Sequence, residues 1–271
     1  MKRKPLWPVP ILYVIMLVWI IPVVGILVMS VRPSVEIMRG WWMMKPFTIT
    51  IENYIKVWNR FNLGRALMAS MAISISSTVI PIFLSSSAAY AFHFLNFPGR
   101  RMMLLVFINA FILPHQVLVI PLMKLWRLSG LMDNLISCVV PFVGLSFAWS
   151  IYYFKTFLNG FPTDLIDASR IDGCSQFRIY WNMVIPNTLT ALASIGILQF
   201  IWTWNSLLFP LIFLRQNIPI TVALTRAKGE YDPNWEQLSA GTVIAIAIPL
   251  LVFIVLQRYF TESVSRTGVE K

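Results

Sequence analysis

Charge is scarce in this sequence: 12% of its 271 residues are Asp, Glu, Lys or Arg, where a soluble domain carries about a quarter. Acid is scarcer still, with 11 Asp and Glu against 22 Lys and Arg. None of the acids falls in the middle of an apolar block. Proton-driven carriers usually need an intramembrane carboxylate to load and release the proton, so that mechanism is disfavoured. A sodium-coupled carrier can use backbone carbonyls and is disfavoured less strongly. A potassium-type filter sequence is missing. There is no Gly-x-x-x-x-Gly-Lys-Ser/Thr phosphate loop, nor any Gly-Lys pair, which excludes ATP binding of that kind. His93 and His115 are the only histidines, and neither a His-Glu-x-x-His nor a Gly-x-Ser-x-Gly motif occurs, so metal and triad chemistry have no seat. The two cysteines, Cys138 and Cys174, make no disulfide framework and are expected as free thiols. No segment alternates apolar and polar residues as a membrane barrel requires.

What is abundant is hydrophobicity, 58% of the residues, gathered into long blocks. A helix needs roughly 20 mostly apolar residues to cross a hydrocarbon core. Six blocks qualify: Val9 to Val31, Ala66 to Phe92, Met102 to Leu125, Asn134 to Phe157, Met183 to Leu214 and Ala240 to Phe260. Each contains a proline: Pro22, Pro81, Pro114, Pro141, Pro186 and Pro249 among them. Proline removes a backbone donor, and in a bilayer a neighbouring helix or water must satisfy the freed carbonyl, which predicts packed helices. Lys2, Arg3 and Lys4 precede the first block as in a signal peptide. Its length, the lack of a small-x-small site and the five following blocks make it an ordinary first span.

Orientation is read from Lys and Arg, which are in excess on cytoplasmic loops. An inside N-terminus splits the 22 bases evenly, so counting ties. The cluster before the first span and the Arg100-Arg101 pair in a short loop favour cytoplasmic termini. Residues 93–101 and 158–182 are then cytoplasmic as well. The bases are spread over every loop without interleaved aromatics, so nucleic acid is not an expected partner.

On the second span Ala66, Ser70, Ser74 and Thr78 recur every four residues, and Ser77, Pro81, Ser85 and Ala89 form another row. Small residues at that spacing make either a packing seam or the polar wall of a pathway. Asn109, His115, Gln116, Gln199 and Asn205 are isolated polar residues deep in other spans and fit either reading. His115, directly after Pro114, is placed to bond a carbonyl freed by a break in the helix or to face a substrate.

Between the fourth and fifth blocks lies "FPTDLIDASRIDGCSQFRIYWNMVIP" (161–186). Pro162 suits a helix start, with Thr163 or Asp164 as cap. Phe161, Leu165 and Ala168 are read as one inward face, with Asp164, Asp167 and Arg170 free to meet water or protein. Asp172-Gly173 then breaks the helix, because glycine accepts a positive φ, and a second helix restarts near Ser175 and runs through Pro186 into the fifth span. Taken alone, this is an interfacial linker that needs no partner. The outer stretch "RQNIPITVALTRAKGEYDPNWEQ" (215–237) is long for a connection between adjacent spans. Its Tyr231 and Trp235 are large amphipathic side chains suited to a protein contact or to an interfacial belt.

The insert resembles the "EAA" loop of the permease subunits of bacterial ABC importers. Asp167-Ala168-Ser169 stands where Glu-Ala-Ala is usual, Gly173 falls on the family glycine, and Val184-Ile185-Pro186 matches the ending. Asp for Glu and Ser for the second Ala are departures that keep the acid and the small side chain. The stretches "ENYIKVW" (52–58), "IPLMKLWRLSGLMDN" (120–134), "TWNSLLFPLIFL" (203–214) and "LQRYFTESVSRTGVEK" (256–271) look like the carbohydrate-uptake, maltose-permease-G-like branch.

The resemblance implies an all-α integral membrane protein of six transmembrane helices with the type I importer permease fold. An N-terminal span and outer loop (1–65) would precede a core (66–262) carrying the coupling loop (158–182), and a cytoplasmic tail (263–271) would follow. It implies a bacterial cytoplasmic membrane and a permease subunit, not an enzyme. Its partners would be a homologous second permease, two ATPase subunits that bind ATP and Mg, an extracytoplasmic solute-binding protein and a carbohydrate substrate. No cofactor is expected in this chain. Leu165, Asp167, Ala168, Ser169, Asp172 and Gly173 become ATPase-coupling residues. Asn109, His115, Gln116, Gln199 and Asn205 become pathway candidates, and Tyr231 and Trp235 binding-protein contacts. Importers for sugar phosphates and polyols share the branch. A stand-alone secondary carrier and a membrane-embedded enzyme are the readings from other classes.

Overall fold

The computed structural model describes residues 8–227 and 234–268, and among these every regular element is helical. Four helices are long and apolar enough to cross a membrane uninterrupted: α1 (Pro8–Ser30), α4 (Leu63–Phe94), α7 (Ile136–Leu158) and α14 (Trp235–Gly268). Two bent helix pairs are apolar enough as well, and with each counted as one span the total among the described residues is six.

The break at Pro114 is one the sequence allowed for, whereas the second bend corrects the expectation of a helix running through Pro186 into the fifth span. In the third, α5 (Arg100–Phe111) and α6 (His115–Leu128) meet at 96°. Pro114 disfavours helical backbone at Leu113 and offers no N–H, so the helix stops and restarts at His115. In the fifth, the helical run Gln176–Asn187 meets α11 (Leu189–Trp204) at 75°. That run comprises α9 (Gln176–Ile179), a π turn at Tyr180–Val184 and the short α10 (Ile185–Asn187). At the bend the Thr188 hydroxyl donates to the Val184 carbonyl at 2.8 Å. A break at Asn205–Leu207 then separates α11 from α12 (Leu208–Phe213). The shorter elements are α2 (Ser34–Arg39), α3 (Glu52–Arg60), α8 (Thr163–Ile171) and α13 (Ile220–Ala227).

The chain forms two compact units, Met1–Leu67 with Val222–Ile248 and Met68–Thr221 with Pro249–Lys271. In the first, α1 is apolar all round and exposed over most of its length, as befits a surface facing lipid or another apolar helix. Beyond its end, the fully buried Arg32 ties residues 32–47 together through Glu36 and three backbone carbonyls. Gly241 on α14 lies in close contact, since a Cβ there would displace the tip of the Leu224 side chain and come within 3.3 Å of Val57.

The second unit has two apolar cores. One gathers Phe92, Phe154, Leu158, Ile166, Tyr180 and Ile195. The other gathers Ile73, Trp126, Cys138, Phe142, Phe209 and Phe213. Both small-residue rows of α4 are buried, which makes them packing seams. Cys138 and Cys174 are free thiols.

Between α6 and α7, Asp133 sits at φ +62°. Its carboxylate accepts the N–H groups of Arg215 at 2.7 Å and Gln216 at 3.0 Å, and its own N–H donates to the Phe213 carbonyl. The Gln216 and Arg215 amides hold this carboxyl below the usual carboxylate range. A lowered folded value contributes stability above the unfolded value and loses it as pH falls through the folded one. Asp133→Ala is therefore expected to lower Tm by a few degrees at neutral pH. The gap from wild type should close as pH falls below the ordinary aspartate value of 3.8. A gap that stays constant on acidification would show that the carboxylate charge is not involved.

Candidate coupling loop and cavity

The insert folds as a helix, a corner and a second helix. Pro162, in extended backbone, precedes α8, and Asp164 lies in the first turn where a negative charge suits the helix N-terminus. The helix ends in a Schellman motif: the Gly173 N–H donates to the Arg170 carbonyl and the Cys174 N–H to the Ser169 carbonyl, both at 3.0 Å. Gly173 takes φ +76°, and a Cβ there would meet nothing within 4 Å, so backbone conformation alone selects glycine. Ser175 then caps α9 by accepting the Arg178 N–H at 3.4 Å.

Packing corrects the face assignment made from the sequence. Ile166 and Ser169 point inward, with Phe161 alongside, whereas Leu165 and Ala168 are exposed. Burial of Ile166 contributes roughly 2 kcal/mol to docking α8 on the core. Ser169, a coupling candidate, instead turns its hydroxyl to the Leu165 carbonyl at 2.8 Å. Arg170 is not free either. It pairs with Asp167 at 3.1 Å and donates to the Phe94 carbonyl at the end of α4 at 3.0 Å. The exposed ion pair is worth at most about 1 kcal/mol, but the bond to Phe94 fixes the helix against α4. Below the corner, Tyr90 donates to Gln176 and the hydroxyls of Ser86 and Tyr180 are bonded, both at 2.7 Å.

The outward stripe of α8 is Asp164, Asp167, Ala168 and Ile171, at helical spacings of three and four. Asp172 and Gly173 follow it, exposed, at the corner. Ile171 is 87% exposed and Phe177 74%. Sequence reasoning missed these two large apolar side chains, although the position of Ile171 just before Asp172-Gly173, at the turn of a polar insert, was a usable signal.

Within the second unit a cavity of about 480 Å³ is lined by His115, Phe142, Trp202, Asn205, Ser206 and Phe209, among others. A neighbouring cavity of about 310 Å³ shares His115 and Trp202 and adds Trp149 and Gln199. The His115 ring lies 5.2 Å from Trp202, and Phe142 meets Trp202 edge-on at 5.5 Å. His115 thus lies with Asn205 on the first cavity and with Gln199 on the second, brought there from a distant segment; Asn109 and Gln116 line neither cavity.

Gln199 has a structural task besides. Its Nε2 donates to the Ser77 carbonyl at 3.0 Å, and its Oε1 accepts from the Trp149 indole at 3.3 Å. Ser77 lies four residues before Pro81, whose missing N–H leaves that carbonyl unpaired within α4. The Gln199 amide replaces the lost donor. Trp235 opens α14 and is 48% exposed, while Tyr231 lies outside the described residues.

Four long apolar helices, two bent apolar pairs, a cornered helix packed on one apolar core through Ile166 and an aromatic cavity with a few polar groups describe a multi-pass membrane protein. A family model for the inner membrane component of binding-protein-dependent transport systems matches residues 81–266. A probable ABC transporter permease protein of Pyrococcus horikoshii is 35% identical over 273 residues, covering 99% of each chain. The alpha-glucoside transport system permease protein of Rhizobium meliloti is 34% identical over 233 residues, 83% of this chain and 61% of its own length. In three dimensions the chain matches one from the crystal structure of a bacterial ABC transporter involved in the import of the acidic polysaccharide alginate. The TM-score is 0.83 over 94% of this chain and 95% of that one, at 21% identity, a likeness of fold. The chain belongs to the family of inner membrane components of binding-protein-dependent transport systems.

Proposed function

We propose that this chain is a permease subunit of an ATP-driven carbohydrate importer and forms half of its translocation pathway. It works with a homologous second permease, two ATPase subunits that hold ATP and Mg, and an extracytoplasmic solute-binding protein. Both termini and the coupling loop face the cytoplasm. The observation that carries the reading is α8 with its corner. A stripe of Asp164, Asp167 and the small Ala168 ends in exposed Ile171 and, beyond Gly173, exposed Phe177. Such a surface suits a cleft in a cytosolic partner, with apolar anchors rimmed by charge. Trp235, with Tyr231, is the candidate contact for the binding protein.

The carbohydrate reading is supported by the alpha-glucoside relative and by the character of the cavity. Sugar rings present apolar C–H faces and hydroxyl edges, which Trp202, Phe142 and Phe209 on one hand and His115, Asn205 and Ser206 on the other can match. The direct test is co-purification with an ATPase and uptake of labelled oligosaccharide that stops when ATP is withheld; uptake without ATP would overturn the reading. Trp202→Ala is expected to lower uptake roughly three- to tenfold while ATP hydrolysis still responds to loaded binding protein. Trp202→Phe should keep most of the uptake. Unchanged transport in Trp202→Ala would remove the cavity from the pathway.

A further inference from the structure

We propose that the cleft at the start of α5 holds the phosphate group of an anionic phospholipid. The inference rests on reading α5 and α7 as membrane helices, but not on what the protein transports. A cavity of about 660 Å³ there is lined by three cations, Arg100, Arg101 and Lys155, and by the apolar side chains of Phe97, Met102 and Leu104. The ion pairs Arg32–Glu36, Lys56–Glu52 and Arg170–Asp167 involve none of these three cations, and no carboxylate among the described residues lines the cleft. The mutual repulsion of the three cations favours an anion between them.

Local structure adds to the field. Gly99, at φ +77°, occupies the N-cap of the 12-residue α5 and provides no capping side chain. The Arg100 amide donates to the Phe97 carbonyl at 3.4 Å, and the amides of Arg101 and Met102 that follow it retain their partial positive charge. Arg100 is held in place by bonds to the Leu95 carbonyl, the Asn96 side chain and the His93 carbonyl. Its position is set by the turn, while Arg101 is exposed and Lys155 half-exposed.

Placement separates a lipid phosphate from a free one. Arg100 opens α5, and Lys155 lies one turn from the end of α7. Both therefore sit at the ends of apolar helices, where headgroups lie, and basic pockets between spans at that depth suit anionic headgroups. From the cations, exposed Met102, Leu105 and Val106 continue along α5 as an apolar track for an acyl chain. A free phosphate has no use for that track.

The test uses the full-length chain in a neutral detergent, with phosphatidylglycerol, phosphatidylcholine or inorganic phosphate as probe. Bound lipid is counted by native mass spectrometry, and Tm is followed in parallel. Phosphatidylglycerol should be retained and should raise Tm, whereas phosphatidylcholine and inorganic phosphate at equal concentration should not. Arg101→Gln combined with Lys155→Gln should weaken phosphatidylglycerol binding at least about tenfold. Lys124→Gln with Arg127→Gln, two exposed bases on α6, should leave it unchanged. Arg100 is kept because its bonds hold the turn. Arg101→Gln alone, at an exposed side chain, carries the same test at smaller amplitude if the double variant fails to fold. Wild-type affinity in these variants, or equal stabilisation by inorganic phosphate, overturns the lipid site. Because no step reads uptake or ATP hydrolysis, either result leaves the permease reading standing or falling on its own.

Discussion

Gly173→Val is expected to lower binding-protein-stimulated ATP hydrolysis and solute uptake together, by about tenfold, with the protein still present in the membrane at its normal level. A Cβ at Gly173 would meet nothing within 4 Å, so there is open space for the start of a side chain. The cost falls on the backbone, where a left-handed conformation penalises an ordinary residue by roughly 1–2 kcal/mol, and about 1.4 kcal/mol is tenfold in an equilibrium. That penalty is far too small to unfold two apolar cores. It is large enough to unmake the two bonds from Gly173 and Cys174 that terminate α8, and with them the geometry of Ile171 and Phe177 on either side of the corner. Gly173→Asn should retain most activity, because asparagine tolerates that conformation better. Normal uptake and hydrolysis in well-expressed Gly173→Val cells would remove the corner from any coupling role.

Arg32→Met is expected to produce the largest loss of stability. The Arg32 guanidinium donates to the carbonyls of Trp41 at 3.0 Å, Met43 at 2.8 Å and Pro46 at 2.7 Å, and pairs with Glu36 at 2.9 Å. It also lies 4.8 Å from the centre of the Phe47 ring. A hydrogen bond involving a charged group contributes roughly 1.5 kcal/mol or more, so losing the three carbonyl bonds alone costs about 4.5 kcal/mol. At about 2–4 °C per kcal/mol this is a fall in Tm on the order of 10 °C. Arg32→Lys should fall between, since a compact ammonium cannot span the same carbonyls.

The hub also has a pH signature. Hydrogen bonds from Thr48, followed by Arg32, hold the Glu36 carboxyl below its ordinary value. Its contribution is present above the unfolded value and disappears as pH falls through the lowered one. Acid should therefore loosen residues 32–48 in the wild type. Limited proteolysis of this segment as a function of pH, alongside Tm, checks both statements; a Tm for Arg32→Met equal to wild type would contradict the first.

Much of this protein was legible in one dimension because the signals are local. A run of some 20 apolar residues suits a span, and four such runs fold as continuous helices, while Pro114 and the Pro186 region turn the other two into bent pairs. The corner was readable because Asp-Gly after a short polar helix leaves few backbone options, and Gly173 does take a positive φ. The faces of α8 were not readable in the same way. Leu165 and Ile166 are adjacent and equally apolar, so composition cannot say which turns inward; contact with Phe161 and the core beneath it does.

The rest was decided by residues distant in sequence. Gln199 reads as a lone polar group in a span, and its task depends on the Ser77 carbonyl, 122 residues away, which Pro81 leaves without a donor. Arg32 reads as one more base in a loop until the chain folds three carbonyls around it. Arg100 and Arg101 read as an orientation signal in one short loop until packing puts them with Lys155 around one cleft. Span formation and helix termination are settled by energies within a few residues, so they can be read from order alone. Partner choice for a buried amide, a guanidinium or a cluster of like charges depends on which distant groups the packed helices bring within bonding distance, and only the tertiary structure specifies that.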